Sequence, residues 1–87
     1  MKDFNQTIID VRTPGEFLGG HIEGSINIPL NRIQEHIEEL KQMPQPMILC
    51  CASGIRSSVA TLYLRNAGIL CENGGSWRDV IFKYQPI

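Results

Sequence analysis

The alternation of apolar runs and helical periods in this chain predicts an α/β domain in three layers, with a central parallel sheet flanked by helices. Three observations predict the class. Short β-branched or apolar runs alternate with helix-period segments, the connections between them are short, and the strand-and-helix order repeats four times with no linker, repeat or low-complexity tract. Strands joined through helices pair in parallel, by right-handed crossovers.

Thr7–Val11 (TIIDV) is β-branched and short enough for a buried strand. Thr13-Pro14-Gly15-Glu16 has the form of a helix start: Thr13 as N-cap, Pro14 at the first helical position and Glu16 completing a capping box. Gly19-Gly20 stops that helix early. Ser25–Ile28 is a second strand candidate, ended by Pro29. From Leu30 the apolar residues Leu30, Ile33, Ile37 and Leu40 recur at helical spacing, with Arg32, Glu35, Glu38 and Glu39 on a solvated face, and Pro44 and Pro46 close the segment. Met47–Cys50 is a continuous apolar run, the signature of a central parallel strand covered on both faces. A polar, glycine-bearing loop leads into a helix through Val59–Leu64, with Gly68 as its left-handed C-cap. Ile69–Cys71 is the fourth strand candidate, and Trp77, Val80, Ile81 and Tyr84 form the apolar stripe of a last helix.

Composition bounds what such a domain does. The chain has 87 residues, 8 Lys and Arg against 9 Asp and Glu, and a net charge of −1, which predicts one domain over residues 1–87. A hydrophobic fraction of 43% with 20% charged residues is that of a globular chain. The longest apolar run, Met47–Ala52, has six residues, against about 20 for a membrane helix. No signal-peptide pattern opens the chain, and without a Lys/Arg cluster neither nucleic acid nor membrane is the expected partner. The three cysteines, Cys50, Cys51 and Cys71, are an odd number without metal-ligand spacing, and His21 and His36 stand alone. They read as reduced thiols in a reducing, cytoplasmic compartment, with no metal site.

Chemistry is expected beyond the carboxyl ends of the strands, where open parallel sheets hold their ligands. Cys51 falls at such an end, followed by Ala52-Ser53-Gly54-Ile55-Arg56-Ser57 and then a helix. Small residues and a glycine let successive N–H groups point into one concavity. The helix start adds its unpaired N–H groups and dipole, and Arg56 a permanent charge. All of these favour an anion, and the nearest is the Cys51 thiolate. Such surroundings lower a thiol from about 8.5 into the range of roughly 3.5–7.5. Cys50 and Cys71 sit within apolar runs and read as small buried hydrophobes, with strand alternation turning Cys50 away from Cys51.

These residues resemble a known family. Cys51–Ser57 is similar to the active-site loop of rhodanese-type sulfurtransferases, C-x-x-G-x-R-S. Asp10–Phe17 matches the family's D-V-R-x-x-x-E-F segment and Gly20–Pro29 its G-H-I-x-G-[AS]-x-N-I-P segment, while Gly74-Gly75 and Trp77 resemble its late glycine pair and aromatic residue. The resemblance implies a single rhodanese-like domain in which Cys51 takes the outer sulfur of a small donor, such as thiosulfate or a persulfide, and passes it to cyanide, a thiol or a protein acceptor. It implies no cofactor, since the sulfur is carried on Cys51 itself. Arg56 would attract an anionic donor and fix the loop. Asp10 and Arg12, two residues apart at a strand end, are expected to form a structural ion pair or bond neighbouring loops. His21 is assigned to loop packing, and Trp77 to packing in the core or near the loop. Rhodanese domains carry an extra helix and strand before the first strand found here, so a sheet of four to five strands is expected, shortened at the N-terminus, with Met1–Gln6 available to pair along an exposed edge.

Two other functions share these residues. A cysteine phosphatase or arsenate reductase uses the same thiolate-and-arginine loop for a tetrahedral oxyanion, but with one residue more than the four that separate Cys51 from Arg56. A non-catalytic rhodanese-like binding module often lacks the cysteine that is present here.

Overall fold

The computed structural model describes residues 6–84. The first strand, β1, spans Ile8–Asp10 and leads into the helix α1, Pro14–Leu18, followed by β2, Ile26–Asn27. A 3₁₀ helix over Leu30–His36 runs into α2, Ile37–Lys41. The strand β3, Met47–Cys51, the helix α3, Ile55–Asn66, the strand β4, Cys71–Ser76, and the helix α4, Trp77–Tyr84, complete the order. All pairings are parallel and the strand order is β2-β1-β3-β4, four strands among the described residues. Because the chain leaves β1 first toward β2 and later toward β3, the order reverses between β1 and β3, the place where an α/β sheet opens a crevice. Whether Met1–Asn5 adds a pairing segment lies outside the described residues.

The pleat divides the core into two layers. Ile9 and Val11 of the first strand region and Met47, Leu49 and Cys51 of β3 face one side, where Ile33, Leu40, Ala60 and Leu64 cover them. Ile8, Ile48 and Cys50 face the other, against Val80, Trp77 and Ile81 of α4. All five residues of β3 are buried, as expected of a strand with helices on both faces.

Local chemistry accounts for most element ends. Thr13 caps α1 as its sequence predicts: its Oγ1 accepts the Glu16 N–H at 3.2 Å while Glu16 Oε1 accepts the Thr13 N–H at 3.0 Å. Gly68, at φ +91°, follows the end of α3, where the Ile69 N–H returns to the Leu64 carbonyl at 3.0 Å.

Three elements differ from expectation. The helix expected through Val59–Leu64 begins at Ile55, so Arg56 and Ser57 lie in its first turn and not in the loop. The segment from Leu30 begins as 3₁₀ instead of α, because the three-residue step from Leu30 to Ile33 fits three residues per turn and still buries Ile33. The fourth strand is displaced: Ile69 and Leu70 precede it, and the polar, glycine-rich Cys71–Ser76 forms it. Its register on β3 shifts between Leu49 and Cys50, so that Asn73 pairs with Leu49, Gly75 with Cys50, and Gly74 is the extra residue of a bulge. A Cβ at Gly74 would lie 2.6 Å from Val80 Cγ2 and 2.7 Å from Ile48 Cγ2, so the missing side chain is what lets α4 pack onto the sheet here.

That contact gives a stability prediction. Gly74→Ala forces a methyl group between two buried side chains and lowers stability by about 1–3 kcal/mol. Gly15→Ala, inside α1 with nothing within 4 Å of the added Cβ, leaves stability unchanged or raises it by up to about 1 kcal/mol. Urea unfolding midpoints measure both, and equal effects would contradict the packing argument.

Candidate active site

Cys51 ends β3 at the reversal of strand order and is 1% exposed. The chain then turns through Ala52 and Ser53, whose side chains are exposed, to Gly54. Gly54 precedes the first residue of α3 with φ +99° and ψ −8°, a left-handed conformation that glycine adopts without strain. This turn aims the Gly54 N–H at Cys51 Sγ, 3.0 Å away. One turn into α3, the Ser57 N–H donates to the same sulfur at 3.4 Å, and Ser57 Oγ lies 3.5 Å from it. Ile55 projects outward, 71% exposed, on the rim of the loop.

These donors decide the charge of the sulfur. Burial by itself pushes the Cys51 thiol up, but hydrogen bonds from the Ser57 hydroxyl and from the N–H groups of Ser57, Ser53 and Gly54 outweigh it, so the thiol lies below its ordinary value. The other two cysteines go the opposite way. Burial, with Asp10 nearby, pushes Cys50 up to about 12, and burial raises Cys71. All three are free thiols. Adjacent residues of one strand thus have opposite reactivity, because the pleat turns Cys50 into the dry layer beneath α4.

Asn73 holds this loop from β4, and sequence reasoning missed it. Its Oδ1 accepts from Ser57 Oγ at 2.6 Å and from the Gly75 N–H at 3.0 Å, and its Nδ2 donates to the Gly54 carbonyl at 3.1 Å. A segment reading ENGGS looks like a turn, and only the sheet register sets Asn73 beside residues nearly twenty positions earlier. The Ser57 hydroxyl has one proton, for which Asn73 and the sulfur compete.

The Arg56 guanidinium is paired with α1. Its two terminal nitrogens donate to Glu16 Oε1 at 2.8 Å and Oε2 at 3.0 Å, and both side chains are about one third exposed. The Arg56 hydrogen bond, followed by the Thr13 backbone, holds the Glu16 carboxyl down to about 2. Glu16 was legible as a capping residue, but its contact with Arg56, across forty positions, was not.

Asp10 and Arg12 form the structural pair that their spacing suggests. The Arg12 guanidinium engages both Asp10 oxygens, with Nη2 to Oδ2 at 2.8 Å and side chains 5% and 1% exposed. Arg12 Nη2 also donates to the Gly20 carbonyl at 2.7 Å, and its guanidinium lies 4.9 Å from the centre of the Trp77 ring. The end of β1, the loop after α1 and the start of α4 are joined through this one side chain. His21 is spent on packing: it stacks on Phe17 at 3.8 Å, and its Nδ1 is 2.8 Å from the Phe17 carbonyl oxygen.

The structure therefore brings Cys51, Gly54, Ser57 and Asn73 into one constellation and pairs Arg56 with Glu16 at its rim, while Asp10 and Arg12 lie behind it. A cysteine at the carboxyl edge of a parallel sheet, its thiol lowered by N–H groups at the start of the next helix, defines a cysteine-centred α/β domain. The chain belongs to the rhodanese-like domain family, whose model matches residues 1–79. It is 43% identical over 61 residues to the uncharacterized protein YqhL of Bacillus subtilis, covering 70% of this chain and 48% of that protein. It thus spans about half the length of that relative. It is 32% identical over 74 residues to the thiosulfate sulfurtransferase PspE of Escherichia coli, covering 83% of this chain and 71% of that one. A rhodanese-related protein from Thermoplasma volcanium superposes with a TM-score of 0.78 at 28% identity, over 95% of this chain and 82% of that chain. Among the described residues, no helix is long and apolar enough to cross a membrane.

The downward shift of Cys51 has a definite sign. A lowered thiol is ionised above its shifted value and loses its nucleophile only on further acidification. Alkylation by iodoacetamide, followed against pH, should give a midpoint for Cys51 below the value of about 8.5 for a free thiol. Ser57→Ala should move that midpoint upward, and Cys50 should stay unmodified throughout. An unmoved midpoint would show that the hydroxyl plays no part in holding the thiolate.

Proposed function

We propose that the protein is a sulfurtransferase that carries a sulfane sulfur on Cys51. The observation that supports this reading best is the combination of a lowered Cys51 thiol with donors already directed at its sulfur, beside two cysteines whose thiols are raised. The thiolate attacks the outer sulfur of the donor. The donor's S–S bond breaks, its electron pair leaves with sulfite or with the donor thiolate, and Cys51 is left as a persulfide. Attack by cyanide, a small thiol or a protein thiol on the terminal sulfur then releases the Cys51 thiolate, in the manner of covalent two-step catalysis. The N–H groups that hold the thiolate are also suited to the terminal sulfur, and sulfur transfer of this kind needs no metal or organic cofactor.

The four-residue spacing between Cys51 and Arg56 supports sulfur over phosphate. A ring of N–H groups must surround three oxygens of a phosphate but only one atom of a persulfide, and the shorter loop makes the smaller ring. Three free thiols and a thiolate nucleophile also suit a reducing compartment such as the cytoplasm.

The test is intact mass after exposure to thiosulfate or to a small organic persulfide. The unaltered protein and Cys50→Ser should each gain one sulfur atom, and Cys51→Ser should gain none. Sulfur transfer retained by Cys51→Ser but lost in Cys50→Ser would refute the assignment. Cys51-dependent hydrolysis of an aryl phosphate without persulfide formation would favour a phosphatase, and neither activity would leave a binding module.

A further inference from the structure

Glu16 lies outside the loop that carries the chemistry, yet it faces Arg56 in the helical turn that follows that loop. It is aimed by its own helix: Oε1 accepts the Thr13 N–H at 3.0 Å and lies 3.1 Å from Thr13 Oγ1, so the capping box sets the carboxylate before Arg56 arrives. Arg56 then spends both terminal nitrogens on it, at 2.8 and 3.0 Å. The pair takes two of the five guanidinium N–H groups and sets a full negative charge against the arginine's positive one. Since the pair is about one third exposed, it sits at the rim where a donor enters and is not part of the core.

From this geometry we infer that Glu16 is a specificity-determining residue: by neutralising Arg56 at the rim, it selects against dianionic sulfur donors such as thiosulfate and in favour of organic persulfides. The inference rests on the reading of Cys51 as the sulfur acceptor. For thiosulfate, a thiolate must meet a dianion, and the products are the Cys51 persulfide anion and sulfite. For an organic persulfide R–S–SH, the thiolate attacks the terminal sulfur and R–S⁻ leaves with the bonding pair, so the electrophile reacts without approaching as a multiply charged ion. The backbone N–H groups serve both reactions equally. Only the charge at the rim distinguishes them, and there Glu16 cancels that of Arg56. Glu16 stays ionised throughout the neutral range, so the discrimination does not depend on pH there.

Glu16→Gln is the informative substitution, because glutamine still closes a capping box while removing the charge. The rate of Cys51 persulfide formation would be measured by intact mass with thiosulfate and with 2-hydroxyethyl persulfide, which is at most singly charged, at low and high salt. Glu16→Gln should raise the thiosulfate rate by about tenfold at low salt and change the 2-hydroxyethyl persulfide rate by less than about twofold. The gain should shrink as salt screens the freed guanidinium. Glu38→Gln, which makes the same change in net charge on α2, should alter neither rate, and adding Arg56→Gln to Glu16→Gln should abolish the gain. If both donors load Cys51 but their rate ratio is the same in Glu16→Gln as in the unaltered protein, or moves against thiosulfate, Glu16 does not set donor choice and the inference falls alone. If neither donor loads Cys51 in the unaltered protein, the sulfurtransferase reading falls and takes the inference with it.

Discussion

The burial of the Cys51 sulfur among directed N–H donors is the constraint around which this domain is arranged. At 1% exposure Cys51 Sγ has lost the water that would solvate a thiolate, and burial alone would keep it protonated, as it does at Cys50. The protein supplies replacement donors in advance. The left-handed Gly54 turns one N–H inward, and the first turn of α3 brings another from Ser57. Such fixed dipoles stabilise charge without having to reorganise when it forms.

Keeping these donors in place draws in the rest of the sheet edge. Asn73 ties both the Gly54 carbonyl and the Ser57 hydroxyl to β4, and it reaches them because β4 is bulged at Gly74. Gly54 and Gly75 approach so closely that a Cβ at Gly54 would lie 3.2 Å from the Gly75 Cα. Close approach thus excludes a side chain at Gly54 in the loop as it does at Gly74 beneath α4. Two segments distant in sequence, 51–57 and 73–80, depend on one another through the Asn73 hydrogen bonds and the close approach of Gly54 to Gly75.

The two arginine–carboxylate pairs have different physical characters. Asp10–Arg12 is buried, has additional bonds to the Arg12 backbone N–H and the Gly20 carbonyl, and fixes the loops behind the sulfur. A buried pair of this kind helps to define one arrangement, since losing either partner strands a charge. Glu16–Arg56 is exposed enough for solvent and salt to weaken it. Its importance lies in the charge it removes from the entrance and not in the stability it adds.

Much of this was legible in the chain itself. Local rules are short-ranged, so the capping box at Thr13 and Glu16, the apolar run of β3, the stripe of α4, the stop at Gly68 and the strand-end position of Cys51 follow from residues within a turn or two of each other. The opposite directions of Cys50 and Cys51 follow from the two-residue period of a strand. What tertiary structure decided involves partners far apart along the chain. ENGGS carries no strand signal, because its pairing energy comes from β3 and its Gly74 is required by Val80 and Ile48. Asn73 has no local role that would mark it, and its three bonds exist only in the bulged register. The sequence by itself determined which cysteine stands at the strand end before the glycine-bearing loop and which points into the apolar layer, through strand period and loop composition. Only the folded sheet decided what anchors the loop around the Cys51 sulfur and what neutralises its neighbouring arginine, because Asn73 and Glu16 reach the loop from distant positions that the crossovers bring to one edge.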